Sequence, residues 1–192
     1  MSIMESTELA EWTLCEAARI LAEPQHRLIY LCEKGVIQPD LQDAEGRGSS
    51  RRFSALNLLE FGVALRLRAV GIPASVCGAV VYAIRGFERA IRKEKPSFSL
   101  PGTMLHEKAP ELKVVIGDDR RLYFSLTTGR FAGKSFGGVP LADLVEGVCK
   151  GEKGHKNRKP PRGFGNEVKE GMMRARVEVS VTGIAQDLGL KV

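Results

Sequence analysis

Between Thr13 and Gly35 the chain carries start and stop signals for two short helices in succession, which restricts the fold more than any other stretch. Thr13-Leu14-Cys15-Glu16 has the form of a capping box, with a Thr at the N-cap and a Glu three residues on satisfying each other's free amides. A short helix is expected to follow, with Leu14, Ala17, Ala18 and Leu21 inward. Pro24 suits the first turn of a second helix, expected to run from Gln25 to Lys34. Gly35 is placed to end it in a left-handed C-cap. Two short helices joined by a turn make a helix-turn-helix candidate.

The pattern continues beyond a polar stretch. Ser54 can cap a third helix, in which Leu56, Leu59, Val63, Leu67 and Val70 follow one another at spacings of 3, 4, 4 and 3, a buried stripe. Gly71 and Pro73 punctuate the chain. A fourth helical pattern places Val76, Val80, Ile84, Phe87 and Ile91 on one face and must stop before Pro96. That stripe can pack on the rest of the chain or on a twin helix in a dimer.

From Pro96 onward the periodicity changes. Residues 112 to 126, LKVVIGDDRRLYFSL, read as two strands with Gly117-Asp118-Asp119 near the turn. A third strand is expected from Arg130 to Phe136, and a helical turn or two from Leu141 to Val145. Residues 174 to 184 alternate Ala175, Val177, Val179 and Val181 against polar neighbours, as a half-buried strand does. Residues 150 to 167 hold Gly, Pro and charge with almost no apolar side chains, and predict a mobile basic loop.

The landmarks between residues 12 and 93, taken in order, resemble the winged-helix DNA-binding domain of the MerR family of bacterial transcription regulators. WTLCEAARIL resembles the family's first helix, and RLIYLCEKGVIQPD its recognition helix and exit. SSRRFSALNLLEF is similar to the end of the wing, and LRLRAVGIPASV to the joint between the third and fourth helices. The chain departs from the family pattern at Ile29, Leu31 and Cys32, and in a longer segment between Pro39 and Arg51. Pro96 also interrupts the place of the family's long dimerising helix.

The resemblance implies an N-terminal winged helix-turn-helix domain over 12–93; the patterns beyond it read as a small α+β module of about four strands over 98–192, and so an α+β fold. It implies binding of double-stranded DNA, regulation of transcription and a homodimer, with an effector, small molecule or protein, acting on the C-terminal module. A helix can enter the major groove and present its N-terminal residues to base edges, which directs attention to Gln25, His26 and Arg27, with Tyr30 one turn on. In the wing, Arg47, Arg51 and Arg52 lie among glycines and serines that allow close approach to phosphate, where contacts supply affinity and register. Strand alternation puts Arg51 and Phe53 on one face and Arg52 on the other. Asp40, Asp43 and Glu45 are acidic enough to keep the middle of that loop off DNA.

Composition sharpens this only when the charge is located. The net charge is +6, and Lys150 to Arg176 holds nine Lys/Arg against three Asp/Glu, leaving 20 of each sign elsewhere. The surplus therefore belongs to one segment, a candidate tether or non-specific DNA contact. Cys15, Cys32, Cys77 and Cys149 form no CxxC clip, and three of them sit in apolar helical patterns as small hydrophobes. His26, His106 and His155 are scattered, and no nucleophile–base pairing, paired carboxylates or metal-ligand spacing can be argued. GRFAGKS, 129 to 135, has one residue too few for a phosphate loop. No enzyme activity, cofactor or metal is expected. The first ten residues hold two glutamates and no basic residue, unlike a secretory signal, and no apolar run is long enough for a membrane span, so a cytoplasmic protein is expected. Two alternatives remain beside the regulator: an architectural or excision-type accessory DNA-binding protein of a mobile element, and a protein-binding adaptor without DNA affinity.

Overall fold

The computed structural model describes residues 11–42, 50–106, 109–127, 134–149, 167–168 and 175–189. Strand β1 (Trp12–Thr13) leads directly into α1 (Leu14–Ile20). Thr13 caps α1 with both halves of the capping box present, its hydroxyl accepting from the Glu16 amide and the Glu16 carboxylate accepting from the Thr13 amide at 2.8 Å. A tight turn follows, with Ala22 in the left-handed region at φ 52°. Helix α2 (Gln25–Glu33) begins after Pro24, which is the N-cap in extended conformation rather than a first-turn residue. Gly35 ends it at φ 65°, with the Gly35 amide donating to the Cys32 carbonyl and the Val36 amide to the Leu31 carbonyl, the paired bonds of a Schellman cap. Buried Val36 and Leu31 supply the apolar pair that accompanies this motif.

Strand β2 (Arg52–Phe53) pairs antiparallel with β1, Trp12 opposite Phe53 and Thr13 opposite Arg52. On its other side Arg52 exchanges backbone hydrogen bonds with Gln42. The candidate wing, β2 with the residues before it, is therefore tied to the start of α1. Phe53 is fully buried and meets Phe61 edge-to-face with ring centroids 5.2 Å apart, so this aromatic anchors β2 in the core.

Ser54 caps α3 (Ala55–Ala69) in a second capping box with Asn57. The expected stripe is present but too narrow a description, because Asn57 through Ala64 are all buried, as befits a helix enclosed by neighbours. Val70 falls outside the core, 62% exposed at the helix C-cap. Gly71, at φ 84°, turns the chain into α4 (Ala74–Glu94).

The rest of the chain folds against these helices. A short α5 (Leu100–Met104), unforeseen in the sequence, precedes β3 (Glu111–Gly117) and β4 (Arg121–Thr127), joined by the expected tight turn. Then come β5 (Lys134–Pro140), α6 (Leu141–Cys149), β6 (Glu167–Val168), β7 (Arg176–Ser180) and α7 (Val181–Asp187). The sheet is antiparallel in the order β6-β5-β4-β3-β7. Three expectations need correction here. The third strand runs on past Phe136 to Pro140, and residues 130–133 lie outside the described residues. The helix after it runs to Cys149 rather than one or two turns. The alternation through Val181 ends at Ser180, whose hydroxyl accepts from the Gly183 amide and starts α7.

The four longer strands meet the expected count, and β6 adds a two-residue fifth. One continuous buried core joins the N-terminal helices to this sheet. Phe87 of α4 stacks on Phe124 of β4 at 4.5 Å and meets Phe136 of β5 edge-on at 6.1 Å. Gly62 of α3 lets Ile184 of α7 approach closely, since a Cβ there would lie 2.5 Å from the Ile184 Cγ2. The apolar face of α4 thus packs on the chain's own C-terminal half. Among the described residues no helix is long and apolar enough to cross a membrane.

Candidate nucleic-acid interface

Helix α2 has two sides with different fates. Leu28 and Leu31 are buried and fix the helix to the core; burying each is worth about 1.5–3 kcal/mol. Gln25, His26, Arg27 and Tyr30 are exposed, Tyr30 to 39%. His26, Arg27 and Tyr30 line one open groove of about 600 Å³, whose opposite wall is Leu65, Arg68 and Ala69 of α3. Gln25 lies outside that groove.

Two contacts modify the expected roles. The Arg27 guanidinium donates to Glu23 at 2.9 Å, so a phosphate or base would have to displace a half-buried carboxylate to engage it. The Lys34 ammonium sits 5.8 Å from the Tyr30 ring centroid, adding a cation beside the tyrosine. Arg68, on the far wall, donates to the Ile72 carbonyl at 2.8 Å and was not marked by the sequence pattern, because it lies at the far end of the next helix.

On the wing, Arg51 and Arg52 are half-buried, and Arg52 shares the neighbourhood of Glu16 at the start of α1. The Glu16 carboxyl is held below the ordinary glutamate range, first by the Thr13 amide, then by the Thr13 hydroxyl, with smaller contributions from Arg52 and Arg19. Arg47 lies outside the described residues, as do Asp43 and Glu45. So do residues 150–166, which make up nearly all of the expected basic loop.

Asp40 does something that acidity alone did not suggest. Its carboxylate accepts from Arg85 Nη1 at 2.7 Å and from the Ser54 hydroxyl at 2.7 Å. Arg85, from the middle of α4, also grips Glu60 of α3 through both Nε and Nη2, the latter at 2.7 Å. Asn57 is the hub. Its side-chain amide donates to the Gln38 carbonyl at 2.9 Å and to Glu60 at 3.0 Å, while its oxygen accepts from the Asp40 amide at 2.9 Å. The network joins the exit from α2, the return of the wing, α3 and α4. Glu60 and Asn57 are fully buried.

Burial pushes the Glu60 carboxyl above its ordinary range, against the pull of Arg85 and Asn57. Burial pulls Arg85 down, but Glu60 and Asp40 together hold it above its ordinary value, so it remains a cation. The only sequence signal for this network is a charge inside each of two apolar runs, Glu60 in LNLLEFGVAL and Arg85 in VVYAIRGF.

Cys77 is buried and its thiol is pushed up to about 11 by burial, as expected of a packed small hydrophobe. Cys32 is half-buried, but Cys15 is exposed on α1. Among the described residues no group of three or more His, Cys, Asp or Glu is placed to hold a metal ion. Compared with known proteins, the chain matches no family model, and no curated protein is significantly similar to it.

Proposed function

We propose that this chain is a sequence-specific DNA-binding transcription regulator, with α2 as the recognition helix in the major groove and the β2 wing on the phosphate backbone. The observation that carries this reading is the pairing of an exposed His26, Arg27 and Tyr30 on α2 with Arg52 on a strand hydrogen-bonded to the residues that lead into α1, and Arg51 directly before that strand. Gln25 and His26 offer donors and acceptors to base edges, Arg27 a guanidinium for guanine or phosphate, and Tyr30 a hydroxyl for phosphate. Arg51 and Arg52 would supply the salt-dependent share of affinity, with Arg47 extending the same wing.

Arg51→Ala is expected to weaken duplex binding several-fold and to reduce the slope of log affinity against log salt by about 1. Titrations at two or more salt concentrations measure both. Unchanged affinity and slope would remove Arg51 from the interface.

A second reading, an architectural or excision-type accessory DNA-binding protein, is favoured by one observation. The apolar face of α4 is covered by the chain's own sheet and α6, so two copies do not need it for pairing. Footprinting separates the readings: one short two-fold site supports a homodimeric regulator, and tandem occupancy with strong bending supports the accessory factor. An effector acting on the C-terminal module belongs to the regulator reading alone.

A further inference from the structure

Residues 85 and 87 point to nearly opposite sides of a helix, being about 200° apart around its axis. In α4 these positions hold Arg85 and Phe87. Phe87 stacks on Phe124 of the sheet, and Arg85 reaches the other way to Glu60 and Asp40. Asp40 lies at the exit from α2, and its second oxygen accepts from Ser54, the residue directly after β2. A single guanidinium on a helix seated on the C-terminal sheet therefore holds Asp40 at one end of the wing segment, and Asp40 holds Ser54 at the other. The Arg85 side chain is 27% exposed and Asp40 26%, while Glu60 is fully enclosed, so the Asp40 arm of the bridge is its accessible part.

We infer that Arg85 is a positioning residue for DNA binding: through Asp40 it fixes the wing relative to the recognition helix, so that the phosphate contacts of Arg51 fall in register. This rests on the DNA-binding reading above. Arginine is suited to the place because its planar fork serves two carboxylates at once, which a lysine ammonium on a flexible stem does not. Truncating Arg85 would leave Glu60 buried without a cation and endanger folding. The informative variants are therefore Asp40→Ala, which leaves the Glu60 pair intact, and Arg85→Lys, which keeps the charge.

The test is a double-mutant cycle on the full chain, with binding to duplexes selected by the wild-type protein as one readout. The second readout is amide hydrogen exchange at Arg52, whose N–H donates to the Gln42 carbonyl at 2.8 Å across the wing. Asp40→Ala and Arg85→Lys are each expected to weaken duplex binding several-fold and to speed Arg52 exchange several-fold, with exchange in α2 unchanged. In an Arg51→Ala background, Asp40→Ala is expected to cause no further loss, because the contact it positions is already gone. Fully additive losses with unchanged Arg52 exchange would reduce the network to general stabilisation and overturn the inference. If wild-type protein binds no duplex, the DNA-binding reading fails by itself. The exchange readout still decides the tie between Arg85 and the wing: faster exchange supports it, and unchanged exchange overturns it.

Discussion

The outward face of α2 and the base of the wing draw on similar polar residue types and use them in opposite ways. At the wing base, Asp40, Ser54, Asn57, Glu60 and Arg85 each bond at least one other member, and two of the five are fully enclosed. On α2, Gln25, His26, Arg27 and Tyr30 face solvent, the last three lining an open groove. Polar groups satisfied inside the fold make a frame with one geometry, because removing any partner strands another in low dielectric. Polar groups left outside cost the fold little, although Arg27 would first have to leave Glu23 to meet a ligand.

The contrast can be broken or sharpened by substitution. Glu60→Ala should cost about 3 kcal/mol of folding stability, by removing one side of a buried ion pair. Denaturant midpoints at constant m-value measure this, and a loss below about 1 kcal/mol would deny the network its role as frame. Thr13→Ala tests an intermediate case, a satisfied group at an exposed helix start, and should cost about 1 kcal/mol. Tyr30→Ala should change stability by less than about 0.5 kcal/mol while weakening duplex binding several-fold. A stability loss comparable to that of Glu60→Ala would place Tyr30 in the frame instead of the face.

The smallest effect is with pH. Because the folded Glu16 carboxyl lies below its ordinary value, the capping box contributes fully above the unfolded value of about 4.3 and is lost as pH falls through the lower folded value. The side-chain carboxyl resonance of Glu16, followed through acid titration, should show a midpoint below that of an ordinary glutamate. A midpoint at or above that value would remove Glu16 from the cap.

The parts of the fold that were legible in the sequence are those set by neighbours along the chain. Thr13 and Ser54 cap helices as their spacing suggested, and Gly35 stops α2 because only a residue tolerant of positive φ fits there. Buried Leu28 and Leu31 likewise follow from helical periodicity. Misreadings arose where two signals overlapped. Val181 continues the alternation of β7, yet Ser180 ends the strand because its hydroxyl can cap a helix. β1 has only two residues, too few to alternate, and exists because β2 pairs with it from far along the chain. Val70 kept the helical spacing but lies at the helix end, past the packed neighbours.

The candidate site divides in the same way. The exposed side of α2 could be chosen from position after a cap and a turn. The wing-base network could not, because Arg85 meets Glu60 across 25 residues and Asp40 across 45. No local propensity records a partner at that separation. Asp40 in particular read only as a charge that keeps the loop away from DNA, and the sequence did not show that its carboxylate also ties Arg85 to Ser54.

The central claim, that α2 and the wing read duplex DNA, is tested most directly by selecting bound sequences from random duplex DNA with the wild-type protein. One short enriched motif, bound with an affinity that falls steeply as salt rises, is the expected result, and two-fold symmetry in that motif would identify a homodimer. Recovery of no enriched motif, together with an absence of salt-sensitive duplex affinity, would contradict the claim and leave a protein-binding role for the same exposed face.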